Sequence, residues 1–573
     1  MNCLREEPNK SHFIIVPQPA QGHLIPMTDM GCLLAERGVC VSLVITRANA
    51  DRIRPIIKRV KELKLPIQFV ELSFPYAKFG LPLGCESVER ITHKLRLYRA
   101  FIDAVYSLNM PLENFIQSLE RTPDCMITDM WNAWTAPVAR KFGIPRVIFH
   151  GPSCFYISAD YLLVHNKAYD SVTDKDEHVT VPDFPVNLEV TKAQTPGFMN
   201  IPGFEDFRNK CLEEEMTADG VVINSFLELE RPFIENYEKV TGKKVWTVGP
   251  FNLQNKDNEL KVGRGNKEAI DKYNRVLTWL GRRAAASVLY ISFGSIVCTN
   301  PQQLMEIGNG LEASNKLFIW VIKEEEITPV IEKWLSEGFE ERTKDRGLVI
   351  VGWAPQMVIL SHPAIGGFMT HCGWNSLLEA ISMGVPMITW PRFGDQFVNE
   401  NLVVDVLRIG VSLDVKAPHF ANMNVVVVKS DDIRKAVNDL MDGGIEADER
   451  RERCKDFSEK AKKAIEGATS PHPRWLSSAS PNLTSTTTSC SAPLPHTRSH
   501  HLGALRLLAN SNTTSPSTSP PPPPRPDSLY NVLSRPSKEE EKVRSTSRFH
   551  TNFCLLKEGS FKSSTPLRLS SWV

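Results

Sequence analysis

An α/β architecture of two doubly wound domains, followed by a tail of different character, is what this sequence predicts. Three observations carry that reading. Short β-rich apolar runs alternate with helical patterns through most of the chain, the sequence form of a parallel sheet flanked by helices. A polar, glycine-containing interval at 252–268 breaks the alternation, which then restarts. From about Ser470 apolar periodicity gives way to Ser/Thr/Pro tracts that cannot bury enough surface to offset chain entropy. With 573 residues and a hydrophobic fraction of 42%, the chain can bury more than one large core.

Taken in order, the strands of the first half read as 13–17 (FIIVP), 41–46 (VSLVIT), 67–72 (IQFVEL), 125–129 (CMITD), 146–151 (RVIFHG) and 221–225 (VVINS). Helical stretches separate several of them. In HLIPMTDMGCLLAERG, Leu24, Met27, Met30 and Leu34 recur at helix spacing and Gly38 is the stop. After the interval, strands are expected at 288–295 (VLYISFGS), 317–323 (LFIWVIK), 348–353 (LVIVGW), 366–371 (GGFMTH) and 387–391 (MITWP). The expected division is a first domain over 1–251, a linker over 252–268, a second domain over 269–467 and a low-complexity tail over 468–573. Such an arrangement places a ligand in the cleft between the carboxyl ends of the strands.

Composition narrows the function classes. A formal net charge of +1 argues against general affinity for nucleic acid or an anionic membrane. The charge is uneven, with 12 Lys/Arg against 5 Asp/Glu from Ser470 onward, so the body is mildly acidic. The N-terminal apolar run is short and broken by Pro17, which fits neither a secretory signal nor an anchor, and a cytoplasmic protein is expected. Twelve cysteines stand singly, with no CxxC pair, as reduced thiols do. Neither GxGxxG nor GxxxxGK[ST] occurs, which disfavours dinucleotide oxidoreduction and nucleoside triphosphate hydrolysis.

One stretch stands apart. From WAPQ at Trp353, through HCGWNS at 371–376 and Glu379, to the closing Asp395 and Gln396, aromatic, amide, hydroxyl and carboxylate side chains follow in a fixed order. This 44-residue stretch resembles the signature box of the plant secondary product glycosyltransferases, which transfer sugar from a UDP-sugar to small lipophilic molecules. Similarity runs from about His12 to about Gly467, through PAQGHLIPM, VPDFP, VVINSF and QFVNENLVV. The resemblance implies two facing Rossmann-like domains of the GT-B fold, the first binding the acceptor and the second the nucleotide sugar.

The residues themselves suit that chemistry. A strand ending in MTHCG and leading into a helix near Asn375 turns unpaired backbone N–H groups and a positive helix end toward the site, as a diphosphate requires. His371, Asn375 and Ser376 add side-chain donors there, and Ser295, after its own strand, adds another. The resemblance assigns His371, Asn375 and Ser376 to the diphosphate, Trp353 to stacking on uracil, Gln356 and Glu379 to the ribose, and Asp395 and Gln396 to sugar hydroxyls. It also counts Ala354 and Trp374 among the UDP-sugar contacts. A final Gln is associated in that family with glucose donors, so UDP-glucose is the expected donor.

Transfer to an alcohol also needs a base, because a neutral hydroxyl is a poor nucleophile. His23 follows the first strand in AQGH, where Gly22 permits a tight turn, and Asp129 ends a strand of the same domain. As a pair they have base and orienter, the triad arrangement without its serine, and the resemblance gives the same two residues. Asp124 reads as a turn residue, His362 as a loop histidine, and His12 and His150 as structural. Asp174 and Asp176 form the sole Asp-x-Asp, in a polar loop, so no metal site and no resident cofactor is expected, the UDP-sugar being a co-substrate.

The reading is therefore an inverting glucosyltransferase, monomeric, with partners UDP-glucose and a small lipophilic acceptor such as a flavonoid, terpenoid, steroid or hormone. Apolar runs at 130–138 (MWNAWTAPV) and 154–163 (CFYISADYLL) are expected to wall the acceptor. The rivals are a noncatalytic nucleotide-sugar binder, which would lack the base, and a sugar-nucleotide epimerase, which would need no apolar chamber. The family pattern breaks at about Ala468, where an expected apolar C-terminal helix is replaced by the Ser/Thr/Pro tail.

Overall fold

The computed structural model describes residues 10–91, 97–194, 203–254, 269–418 and 426–469. Of the expected linker, 255–268 lie outside the described residues, as does the tail from Ser470 onward.

Runs of five to seven residues rich in apolar side chains make the strands of a parallel sheet whose faces are both covered. In the first half these are β1 (His12–Val16), β2 (Cys40–Thr46), β3 (Ile67–Leu72), β4 (Cys125–Asp129) and β5 (Arg146–His150). A hairpin of β6 (His178–Thr180) and β7 (Glu189–Thr191) stands outside the sheet, and β8 (Gly220–Ile223) and β9 (Val245–Thr247) complete it. The order is β3-β2-β1-β4-β5-β8-β9, and the paired strands run parallel. The helix Gln21–Glu36 buries Leu24, Met27, Met30 and Leu34 against Phe13, Ile15, Leu43 and Ile127 on one face of the sheet. Ile14, Val16, Val44 and Met126, the alternate residues, meet Tyr98, Phe101 and Leu112 on the other. Gly38, at φ +83, ends the helix in the left-handed conformation that a Cβ disfavours.

The second half repeats the scheme with β10 (Val288–Ser292), β11 (Leu317–Ile322), β12 (Gly347–Val351), β13 (Ile365–Thr370), β14 (Met387–Thr389) and β15 (Gly410–Ser412). Their order is β12-β11-β10-β13-β14-β15, again parallel. Both sheets reverse direction of growth once, between β1 and β4 in the first and between β10 and β13 in the second. At such a switch point neighbouring loops diverge and leave a crevice at the carboxyl ends of the strands.

The two lobes share a core. Val221, Ile223 and Phe226 of the first pack in one apolar cluster with Trp374, Leu377 and Leu378 of the second. The final described helix, Ile445–Thr469, lies against Trp374–Met383 of its own lobe and touches Leu227–Thr241 and Phe251–Leu253 of the first. Ser458 Oγ ties it to the Ser382 carbonyl at 2.7 Å. Among the described residues no helix is long and apolar enough to cross a membrane, and the nine described cysteines are free thiols.

Candidate active site

The two switch points open into one cleft of about 1900 Å³, larger than the roughly 300–1,000 Å³ that holds a single small ligand. It has room for two substrates together.

On the first lobe, His23 sits in the first turn of Gln21–Glu36, directly after β1, and Asp129 is the last residue of β4, across the switch point. His23 Nδ1 and Asp129 Oδ2 are 2.6 Å apart, and Asp129 Oδ1 accepts from the Trp131 backbone N–H at 3.0 Å. The carboxylate is fully buried and the imidazole 22% exposed, so one end of the pair is fixed and the other faces the cleft. Burial pulls the His23 pKa down, but the Asp129 charge and hydrogen bond, with the Glu89 and Asp395 charges, outweigh it and the net shift is upward. Gly151 permits this placement, since a Cβ there would lie 2.9 Å from His23 Cε1.

On the second lobe, β13 delivers His371 and the helix Trp374–Met383 begins three residues later. Its N-cap is Gly373, with no side chain closing the helix end, so the free amides and the positive end of the dipole remain for a ligand. The imidazole of His371 is clasped between two glycines: a Cβ on Gly294, which has φ +72, would lie 2.6 Å from its Cε1 and Nε2, and one on Gly373 2.5 Å from Nε2. Burial, together with the Lys323 and Arg392 charges, lowers its pKa to about 3, so it is a neutral ring at physiological pH. Ser295, after β10, and Ser376, in the helix, line the same wall.

Gln356, expected at the ribose, is already held. Its Nε2 donates to Ser376 Oγ at 3.0 Å and Glu379 Oε2 at 2.8 Å, and the Tyr290 hydroxyl donates to its Oε1 at 3.4 Å. Trp353 and Ala354 line the cleft beside it. Asp395 Oδ2 accepts from Asn399 at 2.7 Å, and Gln396 Oε1 accepts from the Arg392 and Phe393 amides at 2.9 and 3.1 Å. Burial raises the Asp395 pKa to about 6 against the Asn399 hydrogen bond and the His23 charge, so Asp395 and His23 sense each other across the cleft.

Two expected contacts take different forms. Trp374 is 3% exposed, packs in the shared core and donates Nε1 to the Asn224 carbonyl of the first lobe at 2.9 Å; its ring is a seam residue, and only its backbone is left for a ligand. Asn375 Nδ2 donates 2.6 Å to the Gly22 carbonyl, one residue before His23, so it spans the lobes. Two of the histidines expected to lie outside the site do so: His12 Nε2 meets Ser42 Oγ at 2.8 Å, and His362 Nδ1 accepts from the Ala364 amide. Asp124 accepts from the His12 amide and from Arg121, and Asp174 from the Asp176 amide in an exposed turn. Among the described residues no cluster of three His, Cys, Asp or Glu could hold a metal ion.

Sequence reasoning missed two cations. Arg392 is 4% exposed, lies over the rings of Phe293 and Trp390 at 4.6 and 4.7 Å, and donates to Thr299 Oγ1 at 3.4 Å. Lys323 donates to the Val297 carbonyl. Burial lowers both pKa values, that of Arg392 to about 10. Both line the cleft and bring positive charge to the wall that carries His371. A charge inside WPRF and another closing LFIWVIK were the available signals.

A glycosyltransferase N-terminal domain family matches residues 10–253, and the UDP-glucoronosyl and UDP-glucosyl transferase family matches 267–446. UDP-glycosyltransferase 73E1 of Stevia rebaudiana is 42% identical over 81% of this chain and 94% of its own. The crystal structure of Glycyrrhiza uralensis UGT73P12, complexed with glycyrrhetinic acid 3-O-monoglucuronide, superposes with a TM-score of 0.74 at 35% identity, covering 80% of this chain and 92% of that one. Phytolacca americana UGT2, complexed with UDP-2fluoro-glucose and pterostilbene, gives 0.60 at 26% identity, over 79% and 95%.

Proposed function

The chain belongs to the plant UDP-glycosyltransferases, GT-B enzymes that move sugar from a UDP-sugar to small molecules, and from that premise we propose that it is an inverting glucosyltransferase acting on a hydroxyl of a small lipophilic acceptor. The donor is UDP-glucose, with uracil on Trp353, ribose on Gln356 and Glu379, diphosphate at the Trp374–Met383 helix entrance with His371, Ser376 and Ser295, and sugar hydroxyls on Asp395 and Gln396. His23 removes the acceptor proton while Asp129 stabilises the imidazolium. The acceptor oxygen attacks the anomeric carbon, the bond to the β-phosphate oxygen breaks, and UDP leaves with its charge met by helix amides, His371 and the Lys323 and Arg392 field. A single displacement turns an α-linked donor into a β-glucoside.

The observation that supports this reading most directly is the 2.6 Å bond from Asn375 to Gly22. It brings the helix entrance to the backbone beside the base, so departing and incoming groups meet in one place. Ligands of relatives agree in class: UGT2 was solved with a UDP-glucose analogue and a phenolic stilbene. Metal-free, monomeric action in the cytoplasm completes the proposal.

The test is to incubate purified protein with UDP-glucose and a panel of phenols and terpenoid alcohols, with and without chelator. UDP release and new β-glucoside should appear together and be indifferent to chelator. His23→Ala should cost about a hundredfold or more in kcat, the scale of general-base catalysis; a loss under about threefold would refute the assigned base.

A further inference from the structure

We propose that Asp160 anchors a second hydroxyl of the acceptor, apart from the one that receives sugar, so that the enzyme selects lipophilic molecules carrying at least two hydroxyl groups. The inference rests on the transferase reading and specifies its substrate.

Asp160 lies on the helix Cys154–His165 and lines the same cleft as His23. The same cleft is lined by apolar side chains, among them Phe101, Ile102, Ile157, Leu212 and Met216, while Glu215, Arg208 and His150 lie near enough to Asp160 to act on its charge. Among the described residues no hydrogen bond or ion pair engages its carboxylate, although burial, with the Glu215 charge, holds its pKa up at about 6 against the Arg208 and His150 charges. A partly buried acceptor left unpaired is unfavourable until something donates to it.

A second, independent feature marks the same wall. His150, at the end of β5 and 2% exposed, lies 2.8 Å through Nε2 from Glu215 Oε1, and the Tyr237 hydroxyl donates to that same oxygen at 2.6 Å. Glu215 engages Nε2, while Nδ1 is buried with no partner in the protein. This is a second His–carboxylate pair on the sheet edge that carries His23 and Asp129, and the mechanism does not use it. Asp160 therefore presents an unfilled acceptor position to the chamber, with the buried and unpartnered His150 Nδ1 behind that wall, while Arg208 brings positive charge to the group. A hydroxyl fits better than an ammonium, because it can donate to Asp160 without being repelled by Arg208. A few fixed polar groups in an apolar chamber are also the usual source of discrimination against an analogue lacking the matching group.

The experiment uses matched pairs of mono- and dihydroxylated flavones, steroids and terpenoids, with UDP-glucose and the full chain. In the parent, the KM ratio of mono- to dihydroxylated member should reach about tenfold for the pairs that fit, the worth of one hydrogen bond to a charged group. Asp160→Leu should bring the ratio to about one, and the isosteric Asp160→Asn, which keeps an acceptor oxygen, should fall between. A merely structural role would alter both members alike and preserve the ratio, which would overturn the proposal. So would a parent ratio near one, or a preference for the amino analogue over the diol. A complete absence of product from every pair would instead overturn the transferase reading beneath it.

Discussion

At the scale of single residues, the upward pKa shift of His23 has a kinetic consequence. The proposed base must be neutral to accept a proton, so kcat/KM should rise with pH through a midpoint above 6.5, the ordinary histidine value. Asp129→Asn removes the charge that holds the pKa up and leaves burial, which acts the other way. The midpoint should then move to lower pH while the plateau falls. A pH profile of kcat/KM for both proteins checks this, and an unmoved midpoint would show that Asp129 does not govern the base. His23, Asp129 and His371 were legible in the sequence because motif order fixes which strand end each follows. The place of the Trp374 ring was not, since only packing reveals that it turns into the seam and bonds the Asn224 carbonyl. Arg392 escaped for a related reason, since its place over two aromatic rings depends on where β10 and β14 bring Phe293 and Trp390.

At the scale of elements, the entrance to the Trp374–Met383 helix depends on glycine on both sides of His371. Gly373→Ala places a methyl 2.5 Å from Nε2, closer than atoms tolerate, while the strand and helix it joins keep their own hydrogen bonds. The expected result is a folded protein whose KM for UDP-glucose rises about tenfold or more through displacement of one charge-assisted donor, read by steady-state kinetics alongside an unchanged circular dichroism spectrum. The long central strands were readable because both faces are buried and most of their residues are apolar. Their ends were less so. VLYISFGS reads as strand to Ser295, yet β10 stops at Ser292 because Gly294 turns the chain into the left-handed region. The three-residue strands β9 and β15 and the β6–β7 hairpin went unread, being too short to show a period.

At the scale of the whole molecule, two sheets do not mean two independently melting bodies. The cluster that joins Phe226 to Trp374 and Leu377 is continuous, and polar bonds cross beside it, among them Ser153 Oγ to Asn399 Oδ1 at 2.8 Å. Differential scanning calorimetry should record one cooperative transition for residues 10–469, moved upward by saturating UDP. Trp374→Phe leaves a buried carbonyl without its donor and should cost about 1–3 kcal/mol in urea denaturation, without splitting the transition; two resolved transitions in the parent would contradict the shared core. That seam also sets a rule for engineering. Exchanging one half of this enzyme with that of a relative, to combine a new acceptor range with this donor preference, transplants half of an interface. Chimeras that keep the Asn224–Trp374 and Ser153–Asn399 partnerships matched should survive the graft, and those that mix them should be recovered in inclusion bodies.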